Sequence, residues 1–138
     1  MKIYLVGSLK NPRIPVIANV LRAEGHDVFD EWYAAGPDAD QEWQKYEKVR
    51  GRHYRDALYG LHARTVFGLD YMHLASAEAG VLVMPAGKSG HLEIGWLAGR
   101  GTPTFILFEN GEPERFDVMY LLNSALCFSV KEVVQKLA

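Results

Sequence analysis

The stretch Met84-Pro85-Ala86-Gly87-Lys88-Ser89-Gly90-His91-Leu92-Glu93 gathers the densest set of chemistry-bearing residues in the chain. It reads as a strand end, a flexible loop over Pro85 to Gly90, and a helix from His91 to Ala98. Free backbone N–H groups at a helix start, the helix dipole and the Lys88 ammonium together favour a phosphate or carboxylate there. A simple turn is the alternative reading. Glu93 falls in the first turn of that helix, whose other members include Leu92, Ile94, Trp96, Leu97 and Ala98. Its carboxylate therefore either points into a largely apolar site or caps the helix. A capping box wants Ser or Thr three residues earlier, but Gly90 stands there and Ser89 is one place too far.

A second carboxylate sharpens the chemistry. Val66, Asp70, Leu74 and Ala77 follow helical spacing, which places Asp70 on an apolar stripe. The competing readings are an acid facing solvent and an ion pair with Arg64 or a neighbour. Two carboxyl groups in one crevice suit a glycosidic bond: one attacks or stabilises the anomeric carbon while the other moves protons, about 5 Å apart in retaining enzymes. Tyr4, on the first strand, has a phenol able to hydrogen-bond the nucleophile or a sugar, or it is core.

Two tempting motifs fail on spacing. Gly87-Lys88-Ser89 would belong to a triphosphate-binding loop only with a glycine where this chain has Leu82. His91-Leu92-Glu93 would belong to a zinc deaminase only with a downstream Pro-Cys-x-x-Cys, and Cys127 is the single cysteine. His26, His53, His62 and His73 show no metal-ligand spacing and receive no role. No metal and no cofactor are expected.

The elements that must position these residues alternate along the chain. Lys2 to Gly7 reads as a strand, Pro15 to Ala23 as a helix closed by Gly25, and His26 to Phe29 as a second strand. Glu31 to Arg64 reads as a loop and helix insertion, where Trp32, Tyr33, Trp43, Tyr46, Tyr54 and Tyr59 are interleaved with Arg50, Arg52, Arg55 and Arg64. Thr65 to Glu78 reads as a helix, Gly80 to Met84 as a strand, Pro103 to Phe108 as a fourth strand and Ala125 to Phe128 as a fifth. Val130 to Leu137 closes the pattern with a helix. This alternation predicts one α/β domain over residues 1–138. A doubly wound, five-stranded parallel sheet would carry helices on both faces and hold ligands beyond the strands' carboxyl ends.

The 138 residues suffice for one core, and a formal charge of −2 shows no basic excess for a nucleic-acid or membrane surface. A small-molecule partner is expected instead. One cysteine points to a reducing, cytoplasmic compartment, and neither a targeting segment nor a membrane span is read.

Taken together, Lys2-Ile3-Tyr4-Leu5-Val6-Gly7-Ser8, the Asp70 helix and Gly87-Lys88-Ser89-Gly90-His91-Leu92-Glu93-Ile94-Gly95 resemble the nucleoside 2-deoxyribosyltransferase family. That superfamily includes the 2′-deoxynucleoside 5′-monophosphate N-hydrolases and the cytidylate hydrolases. The resemblance implies a flavodoxin-like fold and sites shared within a homodimer or a dimer of dimers. It makes Glu93 the nucleophile that forms a covalent sugar intermediate, Asp70 the acid that handles the base's proton, and Tyr4 the residue that orients Glu93. Gly7 and Ser8 match the loop beside the sugar, and Lys10 falls near the phosphate position of the monophosphate hydrolases. Gly87, Lys88, Ser89, Gly90 and His91 complete the substrate loop. The chain departs from the pattern at Gly87, where relatives carry a side chain, and at Glu78, where they carry an aspartate. Asn123 and Ser124 are candidates for donation to a neighbouring subunit's pocket.

The reading that follows is an enzyme cleaving the N-glycosidic bond of a nucleoside or its 5′-monophosphate through Glu93, released by water or by another base. A non-catalytic nucleotide-sensing module is the rival, and a nucleic-acid binder using the insertion's arginines is a third.

Overall fold

The computed structural model describes the whole chain, residues 1–138. Its strands are β1 (Lys2–Val6), β2 (Asp27–Phe29), β3 (Ala79–Val83), β4 (Thr104–Leu107) and β5 (Ala125–Cys127). Its helices are α1 (Arg13–Ala23), α2 (Ala39–Val49), α3 (Tyr54–Leu58), α4 (Leu61–Ser76), α5 (Lys88–Gly99) and α6 (Val130–Leu137), joined by 3-10 turns at Glu31–Ala35 and Val118–Leu122. All strands are parallel, in the order β2-β1-β3-β4-β5. This is the expected five-stranded doubly wound sheet. The order reverses between β1 and β3, so the loops after those strands diverge and open a crevice at their carboxyl ends.

Side chains of a strand alternate between its faces, and this parity sorts the core. Ile3, Leu5, Val81, Val83, Phe105 and Leu107 turn to one face, where they pack with Ile14, Ile17 and Leu21 of α1 and Val133 and Leu137 of α6. Tyr4, Val6, Leu82 and Ile106 turn to the other, against Leu74 of α4 and Ile94 and Leu97 of α5. Tyr4 is thereby delivered to the same face as the helices that carry Asp70 and Glu93.

Several boundaries differ from the sequence reading. The last helix of the crevice starts at Lys88, not His91, because Gly90 lets it begin close against the sheet: a Cβ there would meet Leu82 and Val6 at 3.1 and 3.2 Å. Lys88, Ser89 and Gly90 are therefore helical, and Glu93 lies in the second turn rather than the first. The Asp70 helix spans Leu61–Ser76, and its stripe is less apolar than expected, with Leu74 buried but Val66 exposed. The insertion is one 3-10 turn and two helices. Glu47, buried within it, pairs with Arg50 and Arg52 at 3.4 and 3.3 Å, so part of its arginine content serves structure.

Trp32 closes the top of β1. Strand β2 ends at Phe29, opposite Tyr4, and the indole N–H of Trp32 donates to the Leu5 carbonyl at 2.8 Å beyond that point. A buried carbonyl without a ladder partner is thus satisfied by a side chain.

Glycine at position 80 brings α5 down onto β3, since a Cβ there would fall 2.5 Å from Leu97 Cδ1 and 3.0 Å from Ile94 Cδ1. Gly80→Ala should therefore destabilise the fold by about 1–3 kcal/mol through overpacking, read as a lower midpoint in urea denaturation. An unchanged midpoint would show that α5 is free to move outward.

Candidate active site

Glu93 on α5, Asp70 on α4 and Tyr4 on β1 meet at one place on the α4–α5 face of the sheet, each within the electrostatic reach of the others. The carboxyl of Glu93 is held up at a pKa of about 7, first by burial and then by the negative charge of Asp70, while a hydrogen bond from the Tyr4 phenol pulls it down. Burial also raises Asp70, with the nearby His73 acting in the opposite direction. The Tyr4 phenol is pushed up by burial and by the Glu93 carboxylate, so it stays protonated and is a hydrogen-bond donor. One donor does not offset the loss of water around Glu93. The helix dipole does not help either, because its effect fades beyond the first turn and Glu93 lies in the second.

An aromatic stack frames this cluster. Phe29 tilts against Tyr4 with ring centroids 5.2 Å apart, and His73 lies flat on Phe29 at 3.9 Å. His73 received no role from sequence spacing, yet it sits one helical turn beyond Asp70. Asp70 has no ion-pair partner within reach, which removes the expected alternative of a pair with Arg64.

The residues expected around a substrate separate into two groups. Gly7 makes a close approach, with Ile14 Cδ1 2.5 Å from where a Cβ would stand. Ser8 accepts from the Lys10 backbone N–H at 3.1 Å, and Ser8 and Lys10 line a hollow of about 270 Å³ at the strand ends with Asn11, Met84 and Pro85. Gly87, Lys88 and Ser89 are exposed at the start of α5, which has no side-chain cap. His91 differs, since both of its ring nitrogens are engaged within the chain: Nδ1 lies 2.8 Å from the Gly87 carbonyl and Nε2 lies 3.1 Å from the Tyr120 hydroxyl. Asn123 follows the 3-10 turn and donates to the Tyr120 carbonyl at 3.3 Å, while its Oδ1 is buried without a partner. Ser124 ties β5 to β4 by accepting from the Thr104 N–H at 3.1 Å. Tyr120 was not singled out by sequence, because nothing local links it to His91, 29 residues away.

A larger hollow of about 470 Å³ lies between α2 and α3, walled by Trp43, Glu47, Arg52 and Tyr54. It contains none of the residues above, so size alone does not locate the chemistry.

No family model and no curated protein matches the sequence. Solved structures do match the fold. A 2-deoxyribosyltransferase from Bacillus psychrosaccharolyticus aligns at 20% identity over 97% of this chain and 90% of its own, with a TM-score of 0.64. The CMP N-glycosidase BcmB of Clostridium botulinum aligns at 18% identity over 99% and 98%, with a TM-score of 0.54. A conserved protein from Enterococcus faecalis V583 aligns at 12% identity over 98% and 95%, with a TM-score of 0.63. What they share with this chain is the fold, a doubly wound α/β sheet whose helices cover both faces. No helix is long and apolar enough to cross a membrane.

Burial of Glu93 links stability to pH. The folded carboxyl keeps its proton up to about pH 7, whereas an exposed glutamate releases it near 4.5. Its contribution is therefore complete below the lower value and lost as pH rises through the higher one. Glu93→Gln, which mimics the protonated acid, should leave stability nearly unchanged at pH 4 and raise it by roughly 3 kcal/mol at pH 8, measured by thermal denaturation at both pH values. Equal effects at the two pH values would refute the burial argument.

Proposed function

We propose that this chain is an enzyme that cleaves the N-glycosidic bond of a nucleoside or nucleoside 5′-monophosphate. The observation that carries the reading is the cluster of Glu93, Asp70 and Tyr4 on one face of the sheet, beside the switch-point crevice. It is supported by the shared fold of a 2-deoxyribosyltransferase and a CMP N-glycosidase. The two carboxyl groups divide the work. Ionised Glu93 attacks the anomeric carbon through an oxocarbenium-like transition state as the bond to the base breaks and its electron pair leaves with the base. Asp70, whose proton is held more tightly than an exposed aspartate's, delivers it to the departing base. Water, or the nitrogen of another base, then attacks the glycosyl-Glu93 ester, freeing the carboxylate and returning a proton to Asp70. Tyr4 donates to Glu93 throughout and keeps its ionised form accessible near neutral pH.

Ser8, Lys10 and the exposed N–H groups at the start of α5 supply the polar contacts for sugar and phosphate, and the rings of the insertion supply base stacking. We also propose that two or more chains assemble around the site. Phe67 and Met72 on α4 and Val118 and Leu121 on the 3-10 turn are 66%, 58%, 77% and 88% exposed, a degree of apolar exposure that a second copy would cover. Asn123 then stands on the segment that such a neighbour would approach.

Chromatography of the protein incubated with each common nucleoside and 5′-monophosphate, with and without a free acceptor base, tests the chemistry. Free base should appear from at least one substrate, and Glu93→Ala should lower the rate by about 1,000-fold or more while leaving binding of the substrate largely intact. The pH profile of kcat/KM should pass through a maximum, rising with Glu93 ionisation and falling as Asp70 loses the proton it delivers. Absence of turnover for every substrate would favour the nucleotide-sensing alternative. Light scattering tests the assembly: two or more chains per particle are expected, and a monomer at high concentration would contradict it.

A further inference from the structure

The first turn of α5 lacks the usual means of being held in place. Its N-cap is Gly87, no side chain caps it, and the backbone N–H groups of Lys88, Ser89 and Gly90 find no acceptor within the chain. Such open donors suit a ligand but leave the helix start free to fray. His91 meets this need from one turn further on. Its backbone N–H donates to the Gly87 carbonyl at 3.2 Å and its ring Nδ1 reaches the same oxygen at 2.8 Å.

A carbonyl oxygen only accepts, so the Nδ1 of His91 carries the proton. In the neutral ring, Nε2 is then an acceptor, and the partner 3.1 Å away, the Tyr120 hydroxyl, must donate to it. For the neutral ring, the direction of every bond in the path from Tyr120 through His91 to Gly87 is thereby set. The two rings stack with centroids 5.9 Å apart, and Tyr120 stands edge-on to Phe108, just past the end of β4, at 5.8 Å. Of the side chains in the 3-10 turn, Val118, Met119, Leu121 and Leu122 are exposed, and Tyr120 is the one packed inward.

We infer that Tyr120 is a positioning residue, which through His91 fixes the first turn of α5 so that its open N–H groups face the substrate. His91 then acts within the chain instead of touching the substrate. The inference rests on the proposed glycosidic function only for the identity of the substrate. Both residues act through Gly87 and carry no part of the bond-breaking step, so their loss should weaken substrate binding while sparing the chemistry of Glu93.

Tyr120→Phe removes the hydroxyl and keeps the ring against Phe108 and His91. KM should rise about tenfold, the worth of one hydrogen bond, with kcat within about twofold of the parent. His91→Gln should give a similar rise, and the double variant should be no worse than either single one, because both break the same path. Unchanged KM in Tyr120→Phe, or additive losses in the double variant, would overturn the proposal. The nitrogen-15 spectrum of His91 provides a readout independent of any substrate. It should show the Nδ1–H tautomer in the parent and a mixture in Tyr120→Phe. An Nε2–H tautomer in the parent would overturn the brace even in a fully active enzyme. Conversely, absence of turnover with the Nδ1–H tautomer present would remove the glycosidic reading and leave the brace standing.

Discussion

Glu93 takes a carboxylate out of water, and the rest of the site answers to that. Placed on α5 among Ile94, Leu97 and the α4–α5 face of the sheet, the group loses solvation that a single phenol does not restore. Asp70 adds a second negative charge nearby and raises the cost of ionising Glu93, while burial raises Asp70 itself. The consequence is a pair of acids whose protons leave near neutrality or are held more tightly than in water, which is the condition for one to attack while the other supplies a proton. An exposed pair would be fully ionised and unable to divide those roles.

The backbone makes this pairing possible by parity and by glycine. Tyr4 reaches Glu93 because residues 4, 6 and 82 turn to the α4–α5 face while 3, 5, 81 and 83 turn to the α1–α6 face. A one-residue slip of β1 would exchange Tyr4 for Ile3 or Leu5 and leave Glu93 without its donor. Glycine at 80 and 90 removes the side chains that would hold α5 away from β3, so the helix carrying Glu93 lies close to the strand ends. Packing and chemistry therefore depend on the same contacts.

The surface of the chain belongs to the same logic. Helix α4 presents Asp70 inward beside His73 and Phe29, and on its outer side exposes Leu61, Phe67, Leu69 and Met72. The turn that carries Tyr120 inward exposes Val118 and Leu121 outward. Each of these elements thus couples an inward-facing residue to an apolar outer face.

How much was legible in the sequence follows from the range of each interaction. Strand and helix alternation arises from local periodicity, so the five strands and their parallel arrangement could be read directly. Glu93, Asp70 and Tyr4 were legible as polar groups in apolar surroundings. The start of α5 was not, because glycine at 90 normally argues against a helix and is overridden here by its fit against Val6 and Leu82. The insertion's helices were blurred for a similar reason: of the ion pairs that bury Glu47, the one to Arg50 has helical spacing but the one to Arg52 reaches past the end of α2. By itself the sequence determined the layering and the residue types at the crevice, since both are written in short-range order. Tertiary structure alone decided the protonation of Glu93 and the partner of His91, because desolvation and a bond spanning 29 residues exist only once distant segments have packed together.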